Sequence, residues 1–159
     1  MLHINIICVG KIKENYIKDA IKEYSKRLSK YCILNITELN DKPLPEKINS
    51  SIENQIKDAE SLDIISHIKK DSYKICLDLS GKEYSSEEFA EHINSIQQNY
   101  SSITFVIGGS LGMNDELKSS CNEKVRFSKM TFPHQLFRIF LLEQLFRTFK
   151  INNNEKYHH

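Results

Sequence analysis

Between Leu136 and Phe149 the chain places Leu136, Phe137, Ile139, Phe140, Leu141, Leu142, Leu145, Phe146 and Phe149, leaving little polar face beyond Arg138, Glu143, Gln144 and Arg147. A helix apolar nearly all round cannot lie on a solvated surface and has to be covered on more than one side. A chain of 159 residues has little interior to enclose it. Two arrangements satisfy the constraint. In the more economical, a homodimer, the helix packs against its symmetry mate; in the other it is the central core helix of a monomer.

Upstream of this helix, strands and helices alternate. His3–Gly10 is a β-rich run ending in glycine, followed by Tyr16, Ile17, Ala20, Ile21, Tyr24 and Leu28 at helical spacing. Ile33–Leu39 alternates like a half-buried strand, the two prolines of DKPLPEK mark a loop, and Ile48, Ile52, Ile56 and Ala59 share the face of a second helix. Tyr73–Gly81 reads as strand and turn, and Ser85 with Glu88 forms a capping box before Phe89, Ile93 and Ile96. SITFVIGGSLG is a buried strand entering a glycine turn, NDELKSS a short helix and KVRFSKM a last strand; Pro133 stands in the first turn of the final helix. This alternation predicts an α/β fold, a mainly parallel sheet with helices on both faces, as one domain over residues 1–159.

Composition narrows the class further. No run approaches the roughly 20 apolar residues of a membrane span, and MLHINIICVGKIKE becomes charged too soon for a signal peptide, so the expectation is a cytoplasmic protein without membrane contact. Cys8, Cys32, Cys76 and Cys121 lie far apart with no C-x-x-C pair and read as reduced core or near-core residues. Charge is segregated: residues 1–30 carry 7 Lys/Arg against 3 Asp/Glu, residues 31–116 carry 7 against 15, and residues 117–159 carry 8 against 3. If folding joins the basic ends, they form a positive surface suited to a phosphate backbone; the plainer alternative is a set of solvated helix faces.

In an open parallel sheet, ligands bind at the carboxyl ends of strands. Three such ends stand out: Leu77–Gly81, Ile107–Gly112 and Phe127–Phe132. GGSLG lacks the Lys-Ser/Thr ending of a P-loop and the G-x-G-x-x-G spacing of a dinucleotide fold, which favours an adenosine-like ligand held by main-chain groups. No nucleophile-and-base arrangement or metal-ligand spacing is visible among His3, His67, His92 and His134. His134, beside Pro133, either lines a pocket or bonds within its own first turn.

GKIKENYIKDAIKEYSKRL, FVIGGSLG, FSKMTFPHQLFRIFLLEQLFRTFKI and the late Tyr-His pair together closely resemble the RlmH family of the SPOUT superfamily, methyltransferases that act on large-subunit ribosomal RNA. The resemblance covers the whole chain, and FSKMTFPHQ followed by R-x-x-L-x-E-Q-x-x-R is highly specific. It implies a C-terminal deep trefoil knot, an exception to the rule that chains do not thread themselves. It also implies an S-adenosyl-L-methionine pocket, carried onto Leu77, Gly108, Gly109, Phe127, Ser128, Lys129, Met130, Thr131 and Phe132. The implied reaction is methylation at N3 of a pseudouridine in 23S rRNA of the assembled ribosome, by a homodimer that needs no metal. Tyr157 and His158, reaching across the dimer, are the implied contacts to the target base, with Arg138 for RNA or dimer contacts. The family's Arg-Gly-Glu before the aromatic-His pair is replaced here by the run from Asn152 to Lys156, and His159 stands where a basic residue is usual. Two other readings are a ribosome-binding dimer that has lost the cofactor, and another SPOUT activity such as tRNA ribose methylation, for which an added RNA-binding domain is expected.

Overall fold

The computed structural model describes residues 1–157. Its frame is one five-stranded sheet in the order β2-β1-β4-β3-β5, every neighbouring pair parallel. The strands are β1 (Leu2–Val9), β2 (Cys32–Leu39), β3 (Tyr73–Glu83), β4 (Ser102–Ile107) and β5 (Glu123–Arg126). The helices are α1 (Asn15–Leu28), α2 (Ser50–His67), α3 (Ser86–Gln97), α4 (Asp115–Ser120) and α5 (His134–Asn152).

Both sheet faces are covered, as parallel sheets require. Against one, Leu28, Phe89, Ile93, Leu141, Leu142 and Leu145 pack on Ile4, Ile6, Ile75 and Phe105. Against the other, Ile64 of α2 and Leu117 of α4 meet Ile7, Val9, Cys76 and Val106. The apolar α5 lies between α1 and α3 on the first face, so a single chain already encloses most of it. Its outer side still exposes Phe140, which meets Phe132 edge-on at 5.2 Å between ring centroids.

Several predicted details shift. The α2 face turned inward carries Glu60, Ser61 and Ile64, whereas Ile48 lies before the helix and Ala59 is exposed. Tyr16 of α1 also points to solvent. Ser80 and Gly81 belong to β3 rather than to a turn, because the register slips between Leu77 and Lys82 and both residues pair with Val125. Gly81 approaches β5 so closely that an added Cβ would stand 2.5 Å from the Val125 nitrogen. The capping box forms as expected, with the Ser85 amide donating to Glu88 at 2.7 Å and the Glu88 amide to Ser85 Oγ at 3.1 Å.

All four cysteines are free thiols. Cys8, Cys32 and Cys76 are buried, and desolvation pushes Cys8 and Cys32 each up to about 11.

Candidate functional site

Three strand ends converge on one cavity of about 250 Å³. The bulge within β3 supplies Leu77, Asp78 and Leu79, the turn after β4 supplies Gly108 to Ser110 and Gly112, and the segment after β5 supplies Phe127, Ser128, Met130, Thr131 and Phe132. His134 and Phe137 of α5 complete the wall. Every residue predicted for the cofactor lines this cavity except Lys129, which is exposed beyond it.

Local chemistry shapes each wall. The Gly112 amide donates to the Gly109 carbonyl at 3.0 Å, closing a turn in which Gly112 has φ +79°, a left-handed conformation natural to glycine. At Gly108 a Cβ would lie 2.8 Å from Met113 Cγ and 3.1 Å from the Gly112 carbonyl carbon, so a side chain there would crowd the cradle. Ser128 Oγ accepts the Met130 amide at 3.0 Å, folding the loop on itself without glycine.

Asp78 is the acidic group of the cavity. Burial opposes its ionisation, but hydrogen bonds from the Ser80 hydroxyl and amide and the charge of Lys118, 3.3 Å away, outweigh this and hold its pKa below the usual value. His134 is held below its ordinary pKa by burial and by the neighbouring Arg138 cation.

Arg138 is 2% exposed. Its guanidinium donates to Glu38 Oε2 at 2.8 Å and to the carbonyls of Val9 at 3.0 Å and Gly10 at 2.7 Å. The charge expected to meet RNA or a second subunit is thus committed, within one chain, to the carboxyl ends of β1 and β2.

Tyr157 lies away from the cavity. Its hydroxyl donates to Glu143 at 2.8 Å, its ring packs edge-on against Phe146 at 4.9 Å, and Arg147 sits over it at 4.7 Å. Burial opposes ionisation of Glu143, yet hydrogen bonds from Tyr24, Tyr157 and Arg147 keep its pKa below normal. His158 falls outside the described residues.

The substituted tail is accommodated by a specific turn. The Asn154 amide donates to the Ile151 carbonyl at 3.0 Å and the Glu155 amide to the Lys150 carbonyl at 2.9 Å, the paired bonds of a Schellman motif. Asn154 takes the left-handed position at φ 55°. Asparagine tolerates that conformation better than other non-glycine residues, so it can stand where the family pattern has glycine. Glu155 is then fixed by Tyr31 at 2.8 Å and Lys150 at 2.5 Å.

Met113, Asp78 and Phe137 are the cavity residues least visible beforehand; only Asp78 lay in a stretch marked as a strand end. Among the described residues no cluster of three or more His, Cys, Asp or Glu could hold a metal ion, and no helix is long and apolar enough to cross a membrane.

An all-parallel α/β sheet with a cavity at its carboxyl ends, walled by glycine turns and apolar side chains, has the architecture of an α/β protein that binds a small ligand there. Residues 2–158 match a family model described as predicted SPOUT methyltransferase. Ribosomal RNA large subunit methyltransferase H of Clostridium acetobutylicum is 53% identical over 158 residues, 99% of each chain. The protein of that name from Clostridium novyi is 54% identical over 158 residues, again 99% of each chain. A solved structure of a probable methylase family protein from Haemophilus influenzae Rd KW20 superposes with a TM-score of 0.55 at 14% identity, covering 98% of this chain and 70% of that one; it supports the fold alone. The chain belongs to the SPOUT methyltransferases and, within them, to the ribosomal RNA large subunit methyltransferase H family.

Proposed function

We propose that this protein methylates N3 of a pseudouridine in 23S rRNA of the assembled ribosome, in the cytoplasm, using S-adenosyl-L-methionine. The observation that carries this reading is the convergence of the Leu77, Gly108 and Phe127 strand ends on one cavity in a chain of this family. The lining suits the cofactor: apolar walls from Leu77, Ile107, Val125 and Phe137, and a cradle at Gly108 that a Cβ would fill. When bound, the cofactor supplies an electrophilic sulfonium methyl.

The residues of the chain do the remaining work. The N3 proton of the base has to leave before nitrogen can bond to the methyl carbon, so the site needs a proton acceptor, a cation beside the developing anion and a dry, oriented approach. His158 serves as the acceptor, histidine being the side chain most often used for such a transfer. Tyr157 stacks on the exposed base, as RNA loops favour. Arg138 acts as a positioning residue, holding the Gly10 loop against the His134 side of the cavity.

Tyr157 sits away from its own chain's cavity, which agrees with delivery of the tail to a partner's site. The exposed Phe132 and Phe140, next to the cavity mouth and on the outer side of α5, provide the apolar face of a homodimer. The segment after β5 runs as the knotted portion of the SPOUT fold.

The test is transfer of label from S-adenosyl-L-methionine to purified ribosomes lacking the modification, beside free 23S rRNA and tRNA, with the labelled nucleotide mapped. Label on one pseudouridine in ribosomes alone is the expected result. Label on tRNA, or none despite cofactor binding, would overturn the reading.

A further inference from the structure

The two basic ends of the chain do meet: α1 packs along α5, and Lys30 approaches Glu155 of the tail at 3.9 Å. What the surface of α1 does is not explained by packing. Lys18, Lys22 and Lys26 of α1 follow one another at intervals of four residues, the spacing that stacks side chains in a single row, and exposed Lys30 follows in the turn after the helix. Lys26 is nine residues from buried Ile17, two and a half turns on, so the row runs down the side opposite the core.

Such a row is unfavourable for an isolated helix, because like charges four residues apart repel by a few tenths of a kcal/mol per pair. Compensation within the chain is slight. Among the described residues Lys18, Lys22 and Lys26 form no ion pair, Glu23 is engaged by Arg27 at 3.1 Å, and Asp19 is the one other carboxylate of the helix. The row also has a direction. The loop before α1 brings exposed Lys11 and Lys13 up to Gly10, whose position lies beside His134 of the cavity wall, and Tyr16 stands exposed where loop meets helix.

We propose that this lysine row is a docking face for the phosphate backbone of the RNA that delivers the target base, with Tyr16 available to an unpaired base near the cavity. From Lys18 to Lys26 the row spans about 12 Å at 1.5 Å per residue, roughly three to four base-pair rises at 3.4 Å each. Lysines suit this task as mobile point charges that follow a backbone without reading its sequence. The proposal rests on the methyltransferase reading for its substrate, but the surface can be tested apart from the chemistry.

The experiment compares the full-length wild-type protein with K18E/K22E/K26E and with the charge-matched control K47E/K69E/K70E, whose lysines are exposed around α2 on the other side of the sheet. Unfolding temperature and S-adenosyl-L-methionine binding establish that each variant folds. Ribosome binding across a salt series and methyl transfer to unmodified ribosomes are then measured in parallel. The α1 variant is expected to bind at least tenfold more weakly, with its salt slope shallower by about 2 to 3, near 0.7 to 0.9 per lost phosphate contact. Its KM for ribosomes should rise while kcat changes little, and the control should match wild type. Equal slopes and KM values for the α1 variant and wild type would overturn the docking face, as would an equal loss in the control. Wild type that binds ribosomes through the row yet transfers no methyl would overturn the functional reading and leave the surface standing; wild type that does not bind would overturn both.

Discussion

Arg138 and Glu38 lie 100 residues apart in sequence and 2.8 Å apart in space, and the Glu38 oxygen that accepts from the guanidinium also accepts the Ile12 amide at 2.8 Å. One carboxylate and one cation therefore join α5, the end of β2 and the loop after β1. The arginine is the buried member, its side chain 3% exposed against 35% for the glutamate. Losing the arginine strands two main-chain carbonyls and a half-covered carboxylate; losing the carboxylate leaves a buried cation with its two carbonyl partners.

Replacing Arg138 by Ala is therefore expected to lower stability by about 3 kcal/mol, seen as a drop of roughly 6 to 12 °C in Tm for a chain of this size. Lysine should recover only part, since it cannot span three acceptors in fixed directions. A Tm for R138A within a degree or two of wild type would show that the bonds to Val9, Gly10 and Glu38 do not hold the loop.

Tyr157 separates packing from chemistry. Phenylalanine keeps the edge-on contact with Phe146 and loses the bond to Glu143, so Tyr157→Phe should cost about 1 kcal/mol. It should retain most methyl transfer if the ring stacks on the base, whereas Tyr157→Ala should lower kcat/KM about 10- to 100-fold at unchanged cofactor affinity. Equal activity of Ala and wild type in the ribosome assay would remove Tyr157 from the substrate site.

His134 and Glu143 each contribute to the acid limb of stability, in different pH windows. His134 has a folded pKa below 6.5, so the unfolded chain binds its proton more readily. Its contribution is complete above pH 6.5 and is lost as pH falls through the folded value. Glu143, also lowered, gives stability complete above 4.5 and lost on further acidification. His134→Gln should flatten the upper window and Glu143→Gln the lower, as measured by denaturant midpoints between pH 3 and 8. An unchanged slope in either window would refute the corresponding assignment.

The periodicities were sufficient for the strand and helix order, for the capping box at Ser85 and for the three strand ends that carry the cavity, because each depends on neighbours close in sequence. Contacts between distant residues stayed hidden. Arg138 looked free for RNA because nothing in R-x-x-L shows that Glu38 and the carbonyls of Val9 and Gly10 await it. The β3 bulge was missed for a related reason: LSG is sound turn chemistry, and only the pairing of Lys82 with Val125 draws it into the sheet. The apolar α5 suggested a partner subunit first, and its burial between α1 and α3 became visible once those helices had places.

Gly81 and Gly108 make opposite predictions for the same substitution. At Gly81 a methyl group would meet the backbone of β5, 2.5 Å from the Val125 nitrogen and 2.6 Å from the Lys124 carbonyl carbon, and backbone in a paired strand cannot yield cheaply. Gly81→Ala should therefore cost about 3 kcal/mol and loosen the β3–β5 edge that carries Asp78 and Phe127. At Gly108 the nearest atom is Met113 Cγ, the flexible part of an adaptable side chain, so the fold can absorb a methyl group. The Gly112 backbone, at 3.1 and 3.2 Å, cannot retreat as readily, and the cradle narrows. Gly108→Ala should thus unfold within about 1 kcal/mol of wild type yet bind S-adenosyl-L-methionine roughly tenfold more weakly by calorimetry. Wild-type affinity in a folded G108A would place the ligand away from the Gly108 turn, and a wild-type Tm in G81A would mean that the two strands are not in the close contact described.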